Sequence, residues 1–202
     1  MVTLNNKCTV KYQVWPRNAK EFESYLLGLI LGDGQVEEKR ITITDSSRDF
    51  LIQIAKQIEQ HLKLNPKIRK RKNVNAYTLR IYSKNYVNKV GKLVKNLTIN
   101  INFIRGFFDA EGTLYYYRKT PILEISTVNK ELLLKISQEL FKHEIVSHVK
   151  THNYFHKYRR KTYTDYVLVI KRKDSVRKFL QTIGLRHPKH LRKIPNNSPT
   201  PL

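Results

Sequence analysis

Cysteine is almost missing from this chain: Cys8 stands alone among 202 residues. A single thiol excludes an intrachain disulfide framework and fits a reducing, intracellular setting. Long apolar runs are missing as well. No stretch approaches the ~20 residues that cross a bilayer, and Met1 to Lys20 lacks the continuous apolar core of a secretory signal. Acids are scarce, with 16 Asp and Glu against 39 Lys and Arg, a formal charge of +23. That excess implies a polyanionic partner. With no long basic amphipathic helix and no lipidation motif, the polyanion is nucleic acid rather than a membrane surface. Ribosomal-type proteins are equally basic, so charge alone does not say what is done to it. His148, His152 and His156 recur every fourth residue, but without Cys or acidic companions they do not make a zinc site.

What is present is a duplication. Tyr25-Leu26-Leu27-Gly28-Leu29-Ile30-Leu31-Gly32-Asp33-Gly34 recurs as Phe103-Ile104-Arg105-Gly106-Phe107-Phe108-Asp109-Ala110-Glu111-Gly112. Each copy is an apolar helix ending in a small residue, an acid and a glycine. The C-terminal end of a helix carries partial negative charge and favours a cation, so an acid placed there twice implies a bound cation. Gly28 and Gly32, like Gly106 and Ala110, are four residues apart and leave a notch on one helical face. Facing notches would let the two backbones approach closely and bring Asp33 and Glu111 side by side. Two adjacent carboxylates need a counter-charge, and Mg²⁺, a hard ion with oxygen ligands, suits them; Mn²⁺ or Ca²⁺ could occupy the same sites.

The duplication runs on past the motifs. Ile43–Ile58 resembles Ile125–Leu140, and Tyr77–Ile81 matches Tyr166–Ile170. Both halves read helix, hairpin, helix, hairpin, helix. Asn18 and Glu21 resemble a capping box that opens the first motif helix. Strands are expected around 35–44, then a helix over Phe50–Leu64, strands over Lys67–Lys72 and Ala76–Tyr82, and a helix over Tyr86–Leu97. In the second half, strands fall at Thr113–Arg118 and Ile122–Thr127. A helix over Lys130–Phe141, a long basic hairpin over Val146–Ile170 and a helix over Ser175–Ile183 follow. The units are expected at 18–98 and 99–192, with an N-terminal arm over 1–17 and a proline-rich, disordered tail over 193–202. Trp15-Pro16 is expected to pack against the body.

Strand alternation places one polar face of each sheet in solvent. The first face holds Gln35, Glu37, Arg40, Thr42, Thr44, Lys67, Arg69, Arg71, Thr78, Arg80 and Tyr82. The second holds Thr113, Tyr115, Tyr117, Arg118, Glu124, Ser126, Lys150, His152, Tyr154 and Lys171. Mixed donors and acceptors among Arg and Lys suit base-edge reading in a major groove, with basic hairpin tips on phosphates.

On the strings LLGLILGDG (Leu26–Gly34) and IRGFFDAEG (Ile104–Gly112), the chain resembles the LAGLIDADG homing endonucleases in their single-chain, two-motif form. The resemblance covers roughly residues 20–190. It implies an α+β fold of two pseudo-twofold-related αββαββα units, with the motif helices at their interface and antiparallel, saddle-shaped sheets gripping double-stranded DNA. It implies a monomer without membrane association, in an archaeal cytoplasm or an organelle. Asp33 and Glu111 match the family's metal-binding catalytic acids. Gly32 and Ala110 match the residues whose carbonyls help hold the metals. The implied activity is metal-dependent phosphodiester hydrolysis on both strands, leaving 3′ overhangs.

Two positions depart from the family pattern. The second acid is Glu, one methylene longer than Asp. Where the family often carries Gln or Lys at the ends of the second strands, this chain has Asp45 and Val128, leaving Lys95 and Lys189 as substitutes. Asp109, two residues before Glu111, points elsewhere on its helix, toward a structural or surface role. The alternative functions are an intron RNA maturase on the same scaffold and a non-catalytic DNA-binding regulator. Intact acids argue against a maturase-only role, because RNA binding alone does not need them; a regulator would leave every activity untouched when Asp33 and Glu111 are changed to Ala.

Overall fold

A computed structural model of the chain describes residues 15–156, 158 and 160–194. The first fourteen residues of the expected arm, Cys8 among them, and the tail from 195 onward lie outside the described residues. Two compact units are present, one spanning Trp15–Ala110 and the other beginning at Glu111.

The first unit opens with α1 (Ala19–Asp33), capped by Asn18, whose side chain accepts from the Glu21 N–H at 3.0 Å. The capping box closes one residue further back than expected: the Glu21 carboxylate accepts from the Arg17 N–H at 2.8 Å. Tyr25 to Ile30 are all buried, as befits a helix that is apolar all round. Pro16 is buried and the Trp15 ring meets Tyr25 edge-on at 6.3 Å, which places this pair on the body. Gly34 ends the helix and donates its N–H to the Ile30 carbonyl. A Cβ there would fall 2.6 Å from Ile30 Cα, so the motif's glycine answers a close approach.

There follow β1 (Gly34–Glu37), β2 (Arg40–Asp45), α2 (Arg48–Leu62), β3 (Lys67–Lys70), β4 (Tyr77–Tyr82) and α3 (Lys84–Lys95). The strands form an antiparallel sheet in the order β1-β2-β4-β3. Ile41, Ile43, Leu79 and Ile81 are buried on its helix-covered face, against α1, α2 and α3. Helix α2 stops two residues short of the expected Leu64 because Lys63 adopts a left-handed conformation, φ 55°.

The second repeat has the same order: α4 (Ile101–Glu111), β5 (Gly112–Tyr117), β6 (Thr120–Thr127), α5 (Lys130–Lys142), β7 (His148–His156), β8 (Lys161–Ile170) and α6 (Lys173–Thr182). Its sheet runs β5-β6-β8-β7, also antiparallel. Leu114, Leu123, Ile125, Leu168 and Ile170 are buried, with α5 and α6 packed on the sheet. A short α7 (Pro188–Leu191) closes the described chain and was not expected from the sequence. Pro188 fits its first turn, where no N–H is required. Each repeat is thus an αββαββα unit carrying one four-stranded antiparallel sheet.

Candidate nucleic-acid interface and acid-terminated helices

Helices α1 and α4 meet backbone to backbone where the sequence left them without side chains. A Cβ on Gly28 would lie 2.6 Å from the Phe107 nitrogen, and one on Gly106 would lie 2.9 Å from the Tyr25 carbonyl carbon. Only glycine permits this crossing. Polar bonds fix the register. Ser24 Oγ donates to Asn100 Oδ1 at 2.9 Å, and that oxygen also caps α4 by accepting from the N–H groups of Asn102 and Phe103 at 3.0 Å each. Tyr25 Oη donates to Asp109 Oδ2 at 2.9 Å, both residues being buried. Of the two roles expected for Asp109, structural or surface, the structure shows the structural one. Arg105 is buried too and donates to Asn102 Oδ1 at 2.7 Å. Burial pulls its guanidinium below the ordinary arginine value, while the nearby Tyr25 and Asp109 act in the opposite direction.

Asp33 is the last residue of α1 and is exposed; Glu111 is the last residue of α4 and is half-buried. Neither helix has a basic residue in its last turn, where the helix end carries partial negative charge. Gly32 and Ala110 precede the two acids. Carboxylate and carbonyl oxygens are the donors a hard divalent cation takes, so these residues fit such an ion. Among the described residues no three His, Cys, Asp or Glu side chains converge as a metal cage. A cation at either acid would therefore keep water in its shell, as Mg²⁺ sites usually do.

The register of the first sheet puts Gln35, Glu37, Arg40, Thr42, Thr44, Lys67, Arg69, Thr78, Arg80 and Tyr82 on the face opposite the core. Arg71 lies just past β3 and is exposed. Thr42 and Thr78 correct the expectation of exposure: they are 9 % and 5 % exposed. Their short side chains sit in the two central strands between longer neighbours, Thr42 paired with Arg80 and Thr78 with Arg69. Arg40 Nη2 donates to Glu37 Oε1 at 2.8 Å. Hydrogen bonds from Arg80 and then Arg40 hold the Tyr82 hydroxyl below its usual pKa. The Nε atoms of Arg40 and Arg80 are covered yet lack a hydrogen-bond partner among the described residues. Arg40, Arg80, Glu37 and Tyr82 thus form one polar cluster on this face.

On the second sheet, Thr113, Tyr115, Tyr117, Glu124, Ser126, Lys150, His152 and Tyr154 share the face away from the core. Arg118 stands in the β5–β6 turn with φ 46°, and Lys171 follows β8 directly. Tyr115 Oη donates to Glu124 Oε1 at 3.1 Å, and Lys150 Nζ approaches the same oxygen at 3.4 Å. Burial, then the Glu124 charge, raise the Tyr115 pKa. This face is less uniformly polar than expected, because Ile122, Val167 and Val169 share its register. His148, Thr120, Lys161, Tyr163 and Asp165 lie on it as well and escaped the sequence reading. The signal was the period-two alternation from Lys161 onward. Without a Gly or Asn-Gly turn to mark where the hairpin reverses, its register could not be set.

Asp45 ends β2 and Val128 follows β6, 74 % exposed. Lys95 is the last residue of α3 and Lys189 lies in α7.

The LAGLIDADG-like domain family model matches residues 23–95 and again 98–184. Homing endonuclease I-DmoI of Desulfurococcus mucosus is 29 % identical over 188 residues, covering 84 % of this chain and 91 % of that protein. Its structure in complex with DNA and Ca superimposes with a TM-score of 0.63 at 27 % identity, covering 83 % of this chain and 91 % of that one. A DNA polymerase of Thermococcus kodakarensis is 26 % identical over 181 residues; this chain spans 79 % of its own length but only 11 % of the polymerase. Full-length DUF199/WhiA from Thermatoga maritima shares the fold, with a TM-score of 0.64 at 17 % identity, covering 88 % of this chain and 60 % of that one.

Proposed function

Because the chain belongs to the LAGLIDADG-like domain family and carries two copies of the domain, we propose that it is a site-specific homing endonuclease. It acts as a single chain on double-stranded DNA, makes a break in both strands and leaves 3′ overhangs. The backbone-to-backbone crossing of two acid-terminated helices supports this reading most directly, since a binding scaffold has no use for acids at two negative helix ends. I-DmoI, solved with DNA and with Ca, Mn or Mg, lends the reading an analogy.

In this reading each repeat, 18–98 and 99–192, grips one half of the target. Asp33 and Glu111, with the Gly32 and Ala110 carbonyls, hold Mg²⁺, and Mn²⁺ or Ca²⁺ fit the same donors. A divalent ion there supplies charge neutralisation on phosphate and lowers the pKa of water. The chain's own residues position the strands: arginines, threonines and tyrosines of the two open sheet faces meet base edges, and basic hairpin tips meet phosphate. The setting is intracellular, whether an archaeal cytoplasm or an organelle.

The test is incubation of purified protein and Mg²⁺ with a supercoiled plasmid carrying the gene's intron-lacking insertion locus. Linear product supports the nuclease. Help with intron splicing without any cutting would favour the maturase, and sequence-specific binding without either would favour the regulator.

A further inference from the structure

Helix α3 begins on a cavity of about 430 Å³ in the first repeat, walled by the start of α1, the end of α2 and the start of α3. These helices pack on the covered side of the first sheet, so the cavity is built apart from the open face. Ser83 caps α3 by accepting from the Tyr86 N–H at 3.2 Å. The N–H groups of Lys84 and Asn85 lie in the first turn, where a helix offers no acceptor of its own. No acid stands in that turn to meet them.

Tyr86 marks the cavity as more than a surface dent. It is 7 % exposed and forms part of the wall, yet its hydroxyl makes no hydrogen bond among the described residues. A buried phenol usually has a partner. Burial, then the Glu23 charge, push its pKa up, so the group stays protonated and is a donor. Glu23, the one acid on the wall, is held in an ion pair by Lys89. The Lys89 ammonium keeps further N–H donors for a ligand. Together with Ser83 and Asn85 the wall therefore holds a surplus of donors, beside a helix N-terminus that favours an anion.

The second repeat closes the equivalent place. Helix α6 carries Asp174 in its first turn. Ser175, which stands where Tyr86 would recur, is buried, and its Oγ accepts from the Val146 N–H at 3.0 Å.

We propose that this cavity binds a small phosphate monoester, a sugar phosphate or a mononucleotide. The Tyr86 hydroxyl, Lys89 and the start of α3 take the phosphate, and half-buried Leu62 and Leu64 take the ester body. A phosphate offers three acceptor oxygens, which suits this donor set better than the two of a carboxylate. A cavity of this size also falls in the range that holds organic ligands, so bare phosphate would leave most of it unfilled. The site goes beyond the nuclease reading and does not depend on it.

The experiment is isothermal titration of the full chain with adenosine monophosphate, a glucose phosphate, adenosine and inorganic phosphate. At least one ester binds with a Kd below about 1 mM, and adenosine and inorganic phosphate bind about tenfold more weakly or worse. Tyr86→Phe removes only a hydroxyl that bonds nothing in the fold, and it weakens the ester about tenfold, the scale of one hydrogen bond to a charged group. Lys89→Gln weakens it further, because Glu23 then faces the phosphate unpaired. Lys142→Gln, which removes an equal charge from the exposed side of α5, changes affinity less than about twofold. No saturable binding of either ester, or equal affinity in wild type and Tyr86→Phe, would overturn the site. Equal losses in Lys89→Gln and Lys142→Gln would overturn it too, as the mark of diffuse attraction to a chain of charge +23.

Discussion

Tyr25 on α1 donates its hydroxyl proton to Asp109 on α4 across the buried helix crossing, 2.9 Å from Oδ2. The bond joins the two copies of the motif at a position neither copy shares with the other, since Phe103 stands where Tyr25 would recur. Tyr25→Phe keeps the ring and removes this donor from a buried carboxylate. A loss of about 1–3 kcal/mol is expected in denaturant unfolding, and Tyr25→Phe combined with Asp109→Leu should cost less than the two changes added separately.

Gly106→Ala tests the crossing itself. Its Cβ would press on the Tyr25 backbone, which cannot move aside like the end of a flexible side chain. The expected destabilisation is about 3 kcal/mol, at the upper end for overpacking. Gly91→Ala is the control: a Cβ there meets nothing within 4 Å, and the change removes a helix-interior glycine. It should stabilise by about 0.5–1 kcal/mol. Equal melting temperatures for the two variants would contradict the close approach.

Arg80 and Lys67 are cross-strand partners on the first open face, and they should behave differently. Arg80→Ala should relax base preference at one position, with a loss of about 1–3 kcal/mol for the preferred duplex only. Lys67→Ala should weaken binding to all sequences alike and reduce the salt slope by about one. Binding measured over a salt series against a cognate and a scrambled duplex separates the two behaviours.

The Tyr82 hydroxyl, held by Arg80 and Arg40, should ionise below the usual tyrosine value of 10.0. A lowered folded-state pKa favours the ionised form, so its stabilising contribution exists at pH above the unfolded value and disappears as pH falls through the folded one. Site-resolved NMR titration should show Tyr82 shifting early, and Arg80→Gln should move its titration upward.

Much of the fold could be read from the chain, because duplication supplied an internal alignment. Gly28 and Gly106 announced the crossing, and Ile41, Ile43, Leu79 and Ile81 set the core face by simple alternation. What escaped depended on distant packing. The early stop of α2 came from Lys63 in a left-handed conformation, which no residue type there signals. The burial of Thr42 and Thr78 follows from their neighbours in a sheet with β2 and β4 at its centre, an order that local alternation does not encode. Tyr163 and Lys161 went unseen because the β7–β8 turn carries no reversal signal, although each was in plain view in the sequence.

Asp33 and Glu111, the acids that end α1 and α4, are the residues on which cleavage depends in the proposed function. Its most direct test is a cleavage assay of wild type, Asp33→Asn and Glu111→Gln on a plasmid bearing the target, in Mg²⁺, beside binding of the same duplex without metal. The account predicts linear plasmid from the wild type only, with both variants binding as tightly as wild type or more so, since repulsion of phosphate is relieved. Linearisation by either variant at the wild-type rate would contradict it.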